Sequence, residues 1–243
     1  WLARREGITV MTFGDMLRVP GTASSLDAAR AAGGSVHMVY SPLDALASAC
    51  RRPAEEVVFL GVGFETTMPT VAQTIIEARR RKVKNFSVLC GHKTMPEALR
   101  ALCAGSGPAI DGFMLPGHVS AVIGAAPYRF LASRFRKRCV IAGFEPLDIM
   151  QAVLMLIRQE RPCVEIQYSR ITGTAGYALA RKAIQQVFAA VPSEWRGIGV
   201  VRDSGVAIRP AYAAFDAEKR FHPKPPRSRD PKGARSGAGS SWP

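Results

Sequence analysis

Val57-Val58-Phe59-Leu60-Gly61-Val62 runs straight into Gly63-Phe64-Glu65-Thr66-Thr67, and the segment Thr70 to Arg80 behind it has helical spacing. A short β-rich apolar run closed by glycine and followed by a 3.6-residue period reads as a parallel strand handing over to a crossover helix. Outward from this stretch the same alternation repeats. Strand-like runs occur at Ile8 to Thr12, Ser35 to Tyr40, Phe86 to Cys90, Gly112 to Leu115 and Cys139 to Ala142. Helical patterns lie between them at Ser25 to Ala32, Pro42 to Ala49, Pro96 to Ala104, Val119 to Phe135 and Pro146 to Gln159. The pattern then restarts with a strand at Val164 to Tyr168, a helix at Ala175 to Ala190 and a strand through Trp195 to Ile208. Such alternation predicts an α/β fold with mainly parallel sheets and helices on both faces. Two lobes around a cleft are expected, the first over residues 1–120 and the second over 121–217, with a basic tail at 218–243.

Composition narrows the classes. The 243 residues are 47% apolar, enough for a core, and no apolar run approaches the ~20 residues of a membrane span. A soluble, cytoplasmic protein without membrane association is expected. The formal charge of +14 is uneven: Lys219 to Arg235 holds seven basic residues against Asp230, and removing them leaves +8. That tail is rich in proline, glycine and serine, has no apolar face to bury, and is expected to be disordered. The clusters Arg79-Arg80-Arg81-Lys82 and Arg134-Arg136-Lys137-Arg138 fall at predicted helix ends, where cations complement the backbone dipole. With no recognition module and no interleaved aromatics, a nucleic-acid partner is not expected. Cys50, Cys90, Cys103, Cys139 and Cys163 are odd in number and widely spaced, so neither a disulfide framework nor a thiolate metal site is legible.

In parallel sheets, ligands bind beyond the carboxyl ends of the strands. Four strands deliver glycine and a titratable side chain there: Gly63-Phe64-Glu65-Thr66-Thr67, Gly91-His92-Lys93-Thr94, Gly117-His118-Val119-Ser120 and Gly143-Phe144-Glu145-Pro146. Singly, Glu65 and Glu145 are also placed to cap the helices that follow, and His92 and His118 to be ordinary loop histidines. Together they predict one shared edge with acid, base or metal-ligand capacity. Asp15 and Arg18, three apart in the loop Thr12 to Gly21, either pair with each other or bind an anionic or polar ligand. No Walker A, G-x-G-x-x-G after a strand, G-x-S-x-G or H-E-x-x-H sequence occurs. On these residues alone a small-molecule enzyme using Glu65, His118 and Glu145 as acid and base remains an alternative.

The ordered segments TFGDMLRVPG, VYSPLDAL, VGFETTMPT, NFSVLCGHKTMPEAL, GFMLPGHVSAVIG, VIAGFEPLDIMQAVLMLIRQ, WRGIGV and FDAEKRF resemble the HypD family of hydrogenase maturation proteins, from about Leu2 to Phe221. The resemblance implies two Rossmann-like lobes around a cleft, and a carboxyl-terminal domain with a four-iron four-sulfur cluster. It further implies a scaffold, rather than a turnover enzyme, on which an iron gains two cyanides and one carbon monoxide before transfer to a nickel-iron hydrogenase. A HypC-type chaperone and a HypE-type cyanide donor are the implied partners. By resemblance, Glu65, Thr66, Thr67, His118 and Glu145 line the cleft, with His92 and Lys93 close by. The family's C-P-V-C element and its cysteine-rich domain match nothing here, so the ligands of the cluster are absent from this sequence. The coding region is therefore expected to be partial at its amino end and the tail to be an aberrant terminus. Ile166 and Tyr177 stand where the family usually has asparagine, which puts the second lobe's polar contacts in question.

Overall fold

A computed structural model describes residues 1–21, 24–105 and 110–223. In chain order its strands and helices are β1 (Ile8–Thr12), α1 (Leu26–Ala31), β2 (Val36–Met38), α2 (Pro42–Arg51), β3 (Glu56–Gly63), α3 (Met68–Arg80), β4 (Phe86–His92) and α4 (Met95–Ala104). There follow β5 (Gly112–Pro116), α5 (Gly117–Ile123), α6 (Arg129–Ser133), β6 (Arg138–Ala142), α7 (Pro146–Arg158) and β7 (Val164–Ile166). The last group is α8 (Ala178–Val187), β8 (Phe188–Trp195), β9 (Gly199–Ile208) and α9 (Ala217–Phe221). This is the expected mixed α/β fold with mainly parallel sheets. One sheet has the order β2-β1-β3-β4 and a second β5-β6-β7, both parallel, while β8 and β9 form an antiparallel hairpin.

Local chemistry explains the element ends. Proline occupies the first turn of α2, α3, α4 and α7, where a missing N–H costs nothing. At α2, Ser41 accepts from the Leu43 N–H and Asp44 accepts from the Ser41 N–H, a reciprocal cap. The Asn85 amide donates to the carbonyls of Ala49, Arg52 and Glu55, tying the end of α2 to the start of β4. The helix expected over Val119 to Phe135 is broken into α5, a 3-10 turn at Ala126–Tyr128, and α6. Gly124 takes φ +82 and turns the chain out of α5, and Pro127 follows in the 3-10 turn. The strand expected over Trp195 to Ile208 is instead the second half of the hairpin, with its turn at 196–198.

The division between lobes also differs from expectation. β5 pairs with β6, so the sheets part between β4 and β5 and not near residue 120. Nor does 178–217 belong with the second sheet. Val187, Phe188, Val206, Ile208, Tyr212 and Phe215 share the core of Val57, Phe59, Phe86 and Val88. Each such apolar side chain removed from water contributes about 1.5–3 kcal/mol. The first lobe is thus built from both ends of the described chain, and the second, with its own core of Leu99, Leu115, Tyr128, Leu131, Cys139 and Ile141, is an insertion. Residues 218–221, the start of the expected disordered tail, lie in α9, which is capped by Asp216; residues 224–243 lie outside the described residues. No described helix is long and apolar enough to cross a membrane.

Candidate functional site

The second sheet brings two of the expected residues together. His118 stands exposed on the first turn of α5, its ring 4.9 Å from that of Phe144 and 5.8 Å from that of Tyr168. Glu145, next to Phe144, is also exposed, and its carboxylate lies 3.7 Å from the Arg170 guanidinium. Arg170 grips Asp148 with both Nη atoms, at 2.9 and 2.7 Å, and lies 4.3 Å over the Tyr168 ring. Gln167 donates to Asp148 at 2.8 Å and accepts from the Gly143 N–H at 3.1 Å. The Arg170 hydrogen bonds, more than any other cause, pull the Asp148 carboxyl down to about 2. Fork-to-fork pairing of this kind fixes orientation as well as charge. It holds the turn Gly143-Phe144-Glu145 and the Tyr168 ring as one unit under His118. Gly143 is needed there because a Cβ would overlap the Asp148 carboxylate and lie 2.8 Å from Tyr168 Cδ2. Asp148, Gln167, Tyr168 and Arg170 were not singled out from the sequence, although PLD and QY lie within or beside the quoted segments.

At the edge of the first sheet, Thr67 turns its hydroxyl inward, donating to the carbonyls of Val62 and Phe64 at 3.1 and 3.2 Å. It fixes the turn, while Thr66 is exposed. Glu65 is only 4% exposed. Its Oε1 accepts from the Met95 N–H at 3.0 Å, so it caps α4 of the other lobe and not the helix that follows it. Glu65 Oε2 and the hydroxyl of fully buried Tyr128 find no partner among the described residues. Burial raises the Glu65 carboxyl to about 6, against the lowering pull of its own and the Met95 N–H groups. Glu65 charge in turn helps to raise the Tyr128 hydroxyl, behind burial as the main cause.

Because the folded state holds this proton more tightly than the unfolded chain, stability falls as pH rises from 4.5 through about 6. Glu65→Gln keeps the acceptor for Met95 and removes the titration. Relative to the parent, it is expected to gain about 2 kcal/mol between pH 4 and pH 8 in urea unfolding; an unchanged difference would place the carboxyl in water.

The remaining expected residues sit elsewhere. His92 ends β4, yet its ring is not presented as a loop histidine: it is 2% exposed, 5.8 Å from the Phe188 ring, with Nδ1 3.5 Å from Cys90 Sγ and Nε2 unpartnered among the described residues. Burial lowers the imidazole to about 4 and raises the Cys90 thiol to about 11, so both stay neutral. Lys93 is pinned to the hairpin, donating to Ser193 Oγ at 3.0 Å and to the Glu194 carbonyl, with the Trp195 ring 5.0 Å away. Asp15 and Arg18 are both exposed beyond the end of β1 and make no ion pair with each other. The four furnished turns are thus divided between two sheets, and those of β4 serve the hairpin.

The relationship to known proteins extends over nearly the whole chain. The family model described as "HypD: Hydrogenase formation hypA family" matches residues 1–239. The chain belongs to the HypD family. It is similar to the hydrogenase maturation factor HypD of Escherichia coli (strain K12), with 48% identity over 240 residues, 97% of this chain and 64% of that protein. HypD of Rhodobacter capsulatus is 50% identical over 224 residues, 90% of this chain and 59% of its own length. HypD of Rhizobium leguminosarum bv. viciae is 46% identical over 248 residues, 98% and 64% respectively. The chain therefore spans about three fifths of the length of these HypD relatives.

The cysteines of this HypD-family chain do not fit an iron-sulfur cluster. Such a cluster needs four converging thiolates. Cys50 and Cys163 are exposed, Cys90 and Cys103 half-buried, and Cys139 buried in the second-lobe core, where burial pushes its thiol up to about 12. Among the described residues no three His, Cys, Asp or Glu side chains gather as metal ligands would.

Proposed function

We propose that this chain forms the cleft of a nickel-iron hydrogenase maturation scaffold, and that its cargo is an iron carrying two cyanides and one carbon monoxide. The observation that carries the reading is the placing of exposed His118 and exposed Glu145 on neighbouring turns of one sheet edge, the first against Phe144 and the second facing Arg170, in a family whose members are named hydrogenase maturation factors. Cyanide nitrogens accept hydrogen bonds, and His118 and Arg170 are exposed donors at that edge, with Thr66 an exposed donor at the edge of the first sheet. Glu65, with a carboxyl near 6, is suited to hold or release a proton close to neutral pH. Thiolates for the iron, and a four-iron four-sulfur cluster to move electrons, would come from outside the residues described. A HypC-type chaperone and a HypE-type cyanide donor are the proposed partners, and the cytoplasm the proposed compartment.

The test is a chimera in which this chain replaces the matching segment of the Escherichia coli HypD, in cells lacking that protein. Hydrogenase activity is expected to return, and to fall by about a hundredfold or more with Glu65→Ala or His118→Ala, as loss of groups that act directly on bound charge does. The carbonyl and cyanide infrared bands of the purified chimera should shift or vanish in parallel. Full rescue by both variants would remove the cleft from the mechanism.

A further inference from the structure

At the amino edge of the first sheet, the last turn of α3 and the loop after it face the 3-10 turn Pro210–Phe215 and α9 across a groove of about 730 Å³. Its lining is of two kinds. Arg79, Lys82, Lys84, Lys219 and Arg220 are exposed cations at its mouth. The rest is apolar, running from exposed Ala211 and Ala214 through half-buried Val83 and Ala213 down to buried Phe215. No acid and no neutral hydrogen-bonding side chain lines it. The frame is fixed, because Val83, Tyr212 and Phe215 pack in the first-lobe core and Arg79 lies 4.9 Å over the Tyr212 ring. A depression of this size on a packed frame is within the range of sites that hold a ligand.

The positive charge at the mouth is only partly answered. Lys219 has Asp216 at 3.6 Å and Arg220 has Glu56, whereas Arg79, Lys82 and Lys84 are in no ion pair among the described residues. Glu77, the acid of the same helix end, is taken by Arg80 and Arg81. Setting Asp216, Glu56 and about half a charge of the α3 carbonyl end against the five cations leaves an excess of about two and a half positive charges. Charge of one sign around an apolar wall focuses the field into the groove, and an anionic ligand relieves the repulsion.

We propose that this groove binds an extended acidic segment of a partner protein, its small apolar side chains on Ala211, Ala213 and Ala214 and its carboxylates at the mouth among Arg79, Lys82 and Lys84. An extended chain sends alternate side chains to opposite sides, which matches an apolar floor beneath a cationic mouth. A single-stranded nucleic acid fits worse, because bases need aromatic faces or polar edges, and Tyr212 and Phe215 are buried. A lipid surface fits worse, because the apolar lining is recessed and not thrust outward. The chain's own residues 224–243 fit worse, carrying five basic residues against Asp230. The groove lies at the opposite edge of the first sheet from Glu65 and His92, so this inference does not depend on what the cleft binds.

The test uses the whole chain and three fluorescent peptides of about ten residues, one alternating glutamate with valine, one with serine for valine, and one with lysine for glutamate. By anisotropy the glutamate-valine peptide is expected to bind about tenfold or more tightly than the serine peptide, and the lysine peptide not to bind. The basic residues 224–243 attract any polyanion, so two variants decide whether the groove is the site. Ala214→Tyr, exposed and without charge, fills the mouth and should lower the affinity about tenfold or more with an unchanged thermal melt. Lys82→Asn with Lys84→Ser should lower it about as much and flatten its dependence on salt. Asparagine suits position 82, where φ is +56. Equal binding of the valine and serine peptides, no binding of either, or binding indifferent to Ala214→Tyr overturns the proposal. So does tighter binding of an oligodeoxythymidine, or flotation with phosphatidylglycerol vesicles, that Ala214→Tyr abolishes.

Discussion

Between pH 7 and pH 4 the chain is expected to lose about 3 kcal/mol of stability through His92 alone, and a His92→Asn chain is expected not to show that loss. The imidazole is buried between Cys90 and Phe188, and burial lowers it from 6.5 to about 4. The unfolded chain therefore takes up a proton that the folded chain refuses. The contribution is complete above pH 6.5 and disappears as pH falls towards 4, the window set by those two values. Asn is smaller and will lower stability at every pH, so the quantity to compare is the slope in urea unfolding and not its absolute value. Equal slopes in the two chains would mean that the ring reaches water through the hairpin.

Gly143→Ala is expected to cost about 3 kcal/mol, the upper end for overpacking, and to abolish rescue of hydrogenase maturation in the chimera. The new Cβ would lie 2.7 Å from Asp148 Cγ and 2.8 Å from Tyr168 Cδ2. Asp148 cannot yield cheaply, because Arg170 and Gln167 hold both of its oxygens. Displacing it moves Phe144 and Tyr168, the two rings against which His118 rests. In an Asp148→Ala background the obstacle is smaller, and Gly143→Ala should then cost much less. If the penalty is the same in both backgrounds, the steric account is wrong.

Strands and most helix starts were legible because they depend on local chemistry. Pro42, Pro96 and Pro146 announce helices, and the run Val57 to Val62 has few ways to be anything but a buried strand. What could not be read was pairing. Nothing in Phe113 or Leu115 says that β5 joins β6 and not β4, and nothing in Val206 or Ile208 says that they cover Phe59. For that reason His92 was expected beside His118, when burial under the hairpin gives it a different role. At the second sheet's edge the turns of His118 and Glu145 were legible and His118 rests on Phe144, but nothing local to Asp148 announces its buried pairing with Arg170. Glu65 reads as a residue of the shared edge or as the cap of its own helix; it caps α4, a contact between lobes that no local pattern encodes.

Because residues 95–175 are inserted between the two halves of the first lobe, the order of completion differs from the order of the sequence. As the chain leaves the ribosome, β1 to β4 emerge before Phe188, Val206 and Ile208, which complete their core. The inserted lobe has every residue of its own core by Ile166 and can consolidate earlier. A pause in translation just after that point would leave one finished lobe hanging from a sheet with Phe59 still in contact with water.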